Sequence, residues 1–240
     1  FGADTFTPER VAKWCRDQGL PDTVMKEFVD LYYETAEPDI APDLAHSLLS
    51  QVLIVEELSR CAGTTLPFQN DLFNLQIMSG FAGAAEAASI AEDYRADGRL
   101  MFALAISEPE AGSANQWMTT TATKDADGKI HINGTKTWVT SGENSDGFIV
   151  VCKDEDPSAE NKEMSMYLVP ANSKGVTIEP LNKIGMQIMP FSKIIFDDVV
   201  VDESALLGIK GKGFLQLMKN FEWERCVLLA ELLGEAQAAM

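Results

Sequence analysis

Residues 102–113 read FALAISEPEAGS, an apolar run over 102–106 that breaks at Pro109 into a loop carrying Gly112 and Ser113. The run has the length and bulk of a short strand, and it marks a change of period in the chain. Before it, apolar residues recur every three or four positions. After it, they alternate or cluster in short β-rich stretches. The fold class follows from that change: helices first, strands afterwards.

Upstream, Leu44, Leu48, Val52, Val55 and Leu58 form one stripe over residues 42–60, with Glu56, Glu57 and Arg60 off it, so this helix faces a core. Thr7 and Pro8 make a helix start and Gly19 a stop, and the Ala-rich stretch 81–91 suggests a further helix. Downstream, strands are expected over 118–124, 129–133, 135–140, 147–151, 164–169, 176–179 and 192–201. Turns are expected at Ala126-Asp127-Gly128, Asn133-Gly134 and Ser173-Lys174-Gly175. Short strands at this spacing predict an antiparallel barrel or sandwich rather than alternating βαβ units. After Gly208 the helical period returns, with Phe214, Leu217, Met218, Phe221, Leu228, Leu229 and Leu232 assigned to one side and the pattern still running at Met240. The expected class is α+β, with a helical domain over 1–100, a β domain over 101–207 and the start of a C-terminal helical domain over 208–240. Further helices are expected to follow and cover the last helix, whose apolar face otherwise predicts self-association.

With Lys+Arg 19 against Asp+Glu 37, the formal net charge of -18 repels polyphosphate backbones, so nucleic acid is excluded as a natural partner. An anionic ligand would have to be held by local amides and a few placed cations. Cys15, Cys61, Cys152 and Cys226 lie far apart and form no zinc-binding pattern, which fits a reduced, cytoplasmic compartment. No run approaches the roughly 20 apolar residues of a membrane span, so no membrane insertion is expected.

Three segments could carry chemistry. The loop SEPEAGS (107–113) reads either as a ligand loop, where Gly112 lets a backbone approach a ligand, or as an ordinary surface turn. In NGTKTWVTSG (133–142), Trp138 is either a platform for a ring or a core residue. At Gly211-Lys212-Gly213 a helix opens that could receive an anion or could simply be capped by its loop, and Phe221-Glu222-Trp223-Glu224-Arg225 lies further along it. His46 and His131 form no triad with a serine and read as surface or edge residues.

Taken together and in this order, FALAISEPEAGS, NGTKTWVTSG and LLGIKGKGF followed by NFEWERCVLLAELLGEAQ resemble the acyl-CoA dehydrogenase family. The resemblance covers roughly residues 50–240, including IEPLNKIGMQ and FDDVVV in between. It implies FAD as cofactor, lying between a middle β domain and C-terminal helices. It implies that Leu104, Ile106, Ser107, Gly112 and Ser113 line the flavin, and that Trp138, Val139 and Thr140 flank its ring and edge. Ser113 would also lie by the thioester arm, and Glu222, Trp223, Glu224 and Arg225 fall on the acyl-CoA stretch. Most members keep the catalytic base in the C-terminal domain; a minority place a Glu on its first helix, the slot that Glu224 occupies. The chain departs from the family at Leu104, where an aromatic is frequent, at Ala114 in place of Asp, and at Ser141-Gly142. The activity implied is α,β-desaturation of an acyl-CoA in fatty acid metabolism, by a homo-oligomer with an electron-transferring flavoprotein as acceptor. An acyl-CoA oxidase, an enoyl-CoA reductase or a non-catalytic partner subunit stand as alternatives on the same fold. This stretch alone is expected to be inactive.

Overall fold

The computed structural model describes residues 48–64, 68–81, 102–155 and 163–240. The expected features at Thr7, Gly19, Leu44, His46 and 82–91 lie outside these residues. The chain divides into two compact units.

In the first unit, helix α1 (Leu48–Ala62) and the later part of helix α3 (Gly213–Ala239) pack through Val55, Val227 and Ala230, with Val52 and Trp223 against them. A Cβ on Gly234 would meet the Glu56 carbonyl oxygen at 2.1 Å, so the two backbones touch where only glycine fits. Gln237 Nε2 donates to Glu56 Oε1 at 2.8 Å beside that contact. The buried positions on this part of α3 are therefore Val227, Ala230, Glu231 and Gly234, whereas Leu228, Leu229 and Leu232 are exposed. The stripe expected from the large apolar residues is corrected here. Close helix contact selects small residues, which a count of bulky ones overlooks. Leu48 of the α1 stripe is exposed as well, while Val55 and Leu58 are buried.

The second unit is a curled eight-stranded sheet with helix α2 (Phe68–Phe81), whose buried Asn74 donates from Nδ2 to the Phe102 carbonyl at 2.5 Å. Its strands are β1 (Phe102–Ala105), β2 (Thr121–Lys124), β3 (Ile130–Thr140), β4 (Gly147–Asp154), β5 (Met164–Pro170), β6 (Val176–Pro180), β7 (Phe191–Val201) and β8 (Leu206–Leu207). They run in the order β6-β7-β3-β2-β4-β5-β8, with β1 also on β4. One core, fed by β1 to β5 and β7, fills the curl, and Phe148 meets Phe196 edge-on within it.

Most pairings are antiparallel, but β1 and β2 both run parallel to β4. The sheet is therefore mixed, which corrects the purely antiparallel expectation while leaving the α+β class in place. Strand direction leaves no mark on periodicity, although the nearly continuous burial along β4 is typical of a strand with parallel neighbours. The turn at 126–128 closes the β2–β3 hairpin, with the Asp125 amide donating to the Lys129 carbonyl at 2.9 Å. Asn133-Gly134, expected as a turn, lies instead inside the unbroken strand β3 at a register shift. A Cβ on Gly134 would meet Thr120 Oγ1 at 2.3 Å, so this glycine serves a close crossing and not a reversal.

Strand register decides the course of the chain between β1 and β2. β1 pairs with 147–150 and β2 with 153–154 of β4, while β5 pairs with 147–153 of the same strand. β1 and β2 must then share the other edge of β4, and residues 106–120 between them leave the sheet as an excursion alongside β3.

Among the described residues, no helix is long and apolar enough to cross a membrane and no side-chain cluster could hold a metal ion. Among the described residues, Cys61, Cys152 and Cys226 form no disulfide.

Candidate functional site

The excursion is tied down at its neck and open at its tip. The Thr137 amide of β3 donates to the Ser107 carbonyl at 2.8 Å. Lys136 Nζ donates to the Ile106 carbonyl at 3.0 Å and to Glu108 Oε1 at 2.9 Å. Glu108 Oε1 also accepts the Thr120 amide at 2.9 Å, and its Oε2 accepts the Thr119 amide at 2.7 Å and hydroxyl at 2.8 Å. Both ends of the excursion thus converge on one carboxylate. The side chains of Lys136 and Glu108 are 0% and 2% exposed.

Burial by itself pushes the Glu108 carboxyl up, but the hydrogen bond from Thr120, the Lys136 ammonium and the Thr119 amide outweigh it and hold the group at about 2. Burial pulls the Lys136 ammonium down, opposed by the Glu108 carboxylate beside it. Both partners that Lys136 touches are acceptors, so the protonated form completes the geometry. The neighbouring Cys152 thiol is pushed up to about 12 by burial and stays neutral.

Beyond the neck, a second register shift falls between Lys136 and Val139 of β3, and Trp138 takes φ 58°. This bulge breaks the in–out alternation of the strand. Lys136 and Thr137 are both buried, Trp138 is turned out and 60% exposed, and Val139 returns to the core. The reading of Trp138 left open by the sequence is thereby decided against a core position. Val139 offers a ligand only its backbone. Thr140, Leu104, Ile106 and Ser107 are half-buried, and Leu104 faces away from the core that Ala103 and Ala105 enter. Gly112 and Ser113 are exposed, and a Cβ on Gly112 would meet nothing within 4 Å. The structure thus brings the 106–107 backbone against 136–137, directly beside the bulge that presents Trp138.

Glu222, Trp223, Glu224 and Arg225 lie on α3 and belong to the other unit. Glu222 and Arg225 are exposed; Trp223 and Glu224 are half-buried. The Trp223 indole donates to Gln51 Oε1 at 2.6 Å. Burial raises the Glu224 carboxyl above its ordinary range, and Arg225 works against this. At the start of α3 the Gly211 amide donates to Ser165 Oγ at 2.8 Å and Lys212 lies 3.6 Å from Glu163, so protein groups occupy the position where an anion was considered.

Glu108 and Lys136 lie inside two of the segments singled out from the sequence, but the sequence assigned them no part. The available signal was slight: Glu108 is one of two acids in FALAISEPEAGS, and Lys136 is the lone charge in NGTKTWVTSG.

Residues 103–199 match the model of the acyl-CoA dehydrogenase middle domain. The chain is 31% identical over 237 residues to the probable acyl-CoA dehydrogenase YdiO of Escherichia coli K12, covering 98% of this chain and 61% of that protein. It is 35% identical over 193 residues to the 3-(aryl)acrylate reductase of Clostridium sporogenes, covering 79% of this chain and 50% of that protein. The crystal structure of the acyl-CoA dehydrogenase from Slackia heliotrinireducens superposes with a TM-score of 0.73 at 42% identity, over 98% of this chain and 60% of that one. The chain therefore spans about three fifths of the length of the YdiO and Slackia proteins. A middle-domain match laid over the mixed sheet makes residues 103–199 an acyl-CoA dehydrogenase middle domain, within a chain that is similar along 98% of its length to acyl-CoA dehydrogenases.

Proposed function

We propose that the chain is part of a flavin-dependent acyl-CoA dehydrogenase that desaturates an acyl-CoA thioester between its α and β carbons. Trp138 is the observation that carries this reading: a large aromatic face, turned out by a bulge, beside a loop pinned to the same strand. The residues fit FAD. A flat ring system calls for an exposed aromatic face and bare backbone nearby, and Trp138 with the open space over Gly112 provide both. When bound, FAD supplies the acceptor for the hydride that leaves the substrate β-carbon.

The chain's own residues do the rest. Ser107 and Thr140 edge the ring with hydroxyls, Ile106 and the Val139 backbone complete that edge, Leu104 backs the wall, and Ser113 lies toward the thioester arm. Glu224 is proposed to take the α-proton; a carboxyl raised by burial is the stronger base that such a weak carbon acid requires. Glu222, Trp223 and Arg225 are assigned to the acyl-CoA. The onward oxidant is proposed to be an electron-transferring flavoprotein.

A second reading, reduction of an enoyl or arylacryloyl substrate, is favoured by the similarity to the Clostridium enzyme. Incubating the purified enzyme of which this chain is part with acyl-CoAs and an artificial electron acceptor under argon tests the first reading directly. Formation of a trans-enoyl-CoA supports it; no product, together with reoxidation of the chemically reduced protein by an arylacrylate, replaces it with the second.

A further inference from the structure

We propose that Lys136 is a positioning residue, whose buried ammonium gathers both ends of the 106–120 excursion on β3 and sets its tip beside Trp138 before any ligand binds. The inference rests on the flavin reading for what the tip receives, but the knot itself is independent of it. Three observations carry it.

The first is topological. β1 and β2 share one edge of β4, so the excursion between them has no extended ladder of its own; single backbone bonds, from the Thr137 amide to the Ser107 carbonyl and from the Lys153 amide to the Thr120 carbonyl, hold its two ends, and side chains must gather them together. The second is the wiring. Lys136 holds the entry through the Ile106 carbonyl and the Glu108 carboxylate, and that same carboxylate holds the exit through the Thr119 and Thr120 amides. Remove the cation and a fully enclosed carboxylate loses its counter-charge while the Ile106 carbonyl loses its donor. The third is the contrast in exposure along the excursion. Glu108, Ala111, Met118 and Thr120 are buried, whereas Gly112, Ser113, Ala114, Gln116 and Trp117 face solvent. A neck so enclosed with a tip so open is the arrangement expected of a prepositioned binding loop. An apolar pair of similar volume would serve stability equally well, so the ion pair points to a role in fixing where the loop goes.

The test compares the native chain with the neutral pair Lys136→Met/Glu108→Gln, which removes the knot without stranding a buried charge. Amide hydrogen exchange without ligand is read first, followed by FAD titration. In the native chain the Thr119, Thr120 and Thr137 amides should exchange nearly as slowly as those of β4, while Gly112 exchanges freely. In the double variant the β4 amides should keep their protection, the Thr119, Thr120 and Thr137 amides should speed up about tenfold or more, and FAD should bind about tenfold more weakly. Neck amides as fast as Gly112 in the native chain overturn the proposal without recourse to any variant, so the test holds even where the variant does not fold. Equal FAD affinity in both proteins overturns it too. A native chain with a slow neck that takes up no FAD would instead sink the flavin reading and, with it, the loop's assigned ligand.

Discussion

Trp138 holds a left-handed backbone conformation that bulky residues adopt only when their surroundings enforce it, at a cost of about 1–3 kcal/mol. Its side chain is mostly exposed, so truncation forfeits little burial. Trp138→Gly should therefore leave the melting temperature unchanged or raise it, while weakening FAD binding several-fold; a destabilised variant with native affinity would contradict this. Glu108 makes a second residue-level prediction. Its folded-state value of about 2 lies below the ordinary 4.5, so its stabilising contribution is complete above about 4.5 and is lost as pH falls toward about 2. In urea titrations across that window, Glu108→Gln should flatten the acid limb of the stability profile. His131 has the opposite sign. Asp198 at 2.7 Å and Asp125 at 3.1 Å raise it above its ordinary 6.5, so its contribution is complete below about 6.5 and fades as pH rises through the raised value. An NMR titration of His131 should give a midpoint above 6.5, moving back in Asp198→Asn. Residue types and their neighbours along the chain announced the loop and the tryptophan, but not the Lys136–Glu108 pair. That pair joins positions 28 apart and exists only once the excursion folds back on β3.

Among the elements, the shift of period near Met101 was enough to separate helices from strands, and seven of the eight strands grew from stretches readable in advance. The exception, β8, is a pair of leucines whose pairing with β5 has no local signature. Asn133-Gly134 failed as a turn for a physical reason. The dipeptide signals permissive backbone, and a hairpin and a bulge both need it; only the approach of Thr120 distinguishes them. The same limit applies to α3, where Ala230 and Gly234 make the contact and the leucines do not. Gly234→Ala should accordingly cost about 1–3 kcal/mol by forcing α1 and α3 apart. Equal stability by chemical denaturation would mean that the two helices do not touch there.

For the molecule as a whole, an overall charge of -18 opposes the anionic ligands proposed above, so the proposed binding rests on local geometry: a pinned loop, bare backbone at Gly112 and an outward aromatic. That geometry sits within the 103–199 stretch that matches the middle-domain model, and its worth as a functional site turns on the flavin. The direct test is the visible absorption of the purified protein, before and after anaerobic addition of acyl-CoAs of graded chain length. A yellow protein bleached by one length class is expected; a colourless protein that takes up no added FAD would contradict the flavin reading and favour a non-catalytic subunit of the same fold.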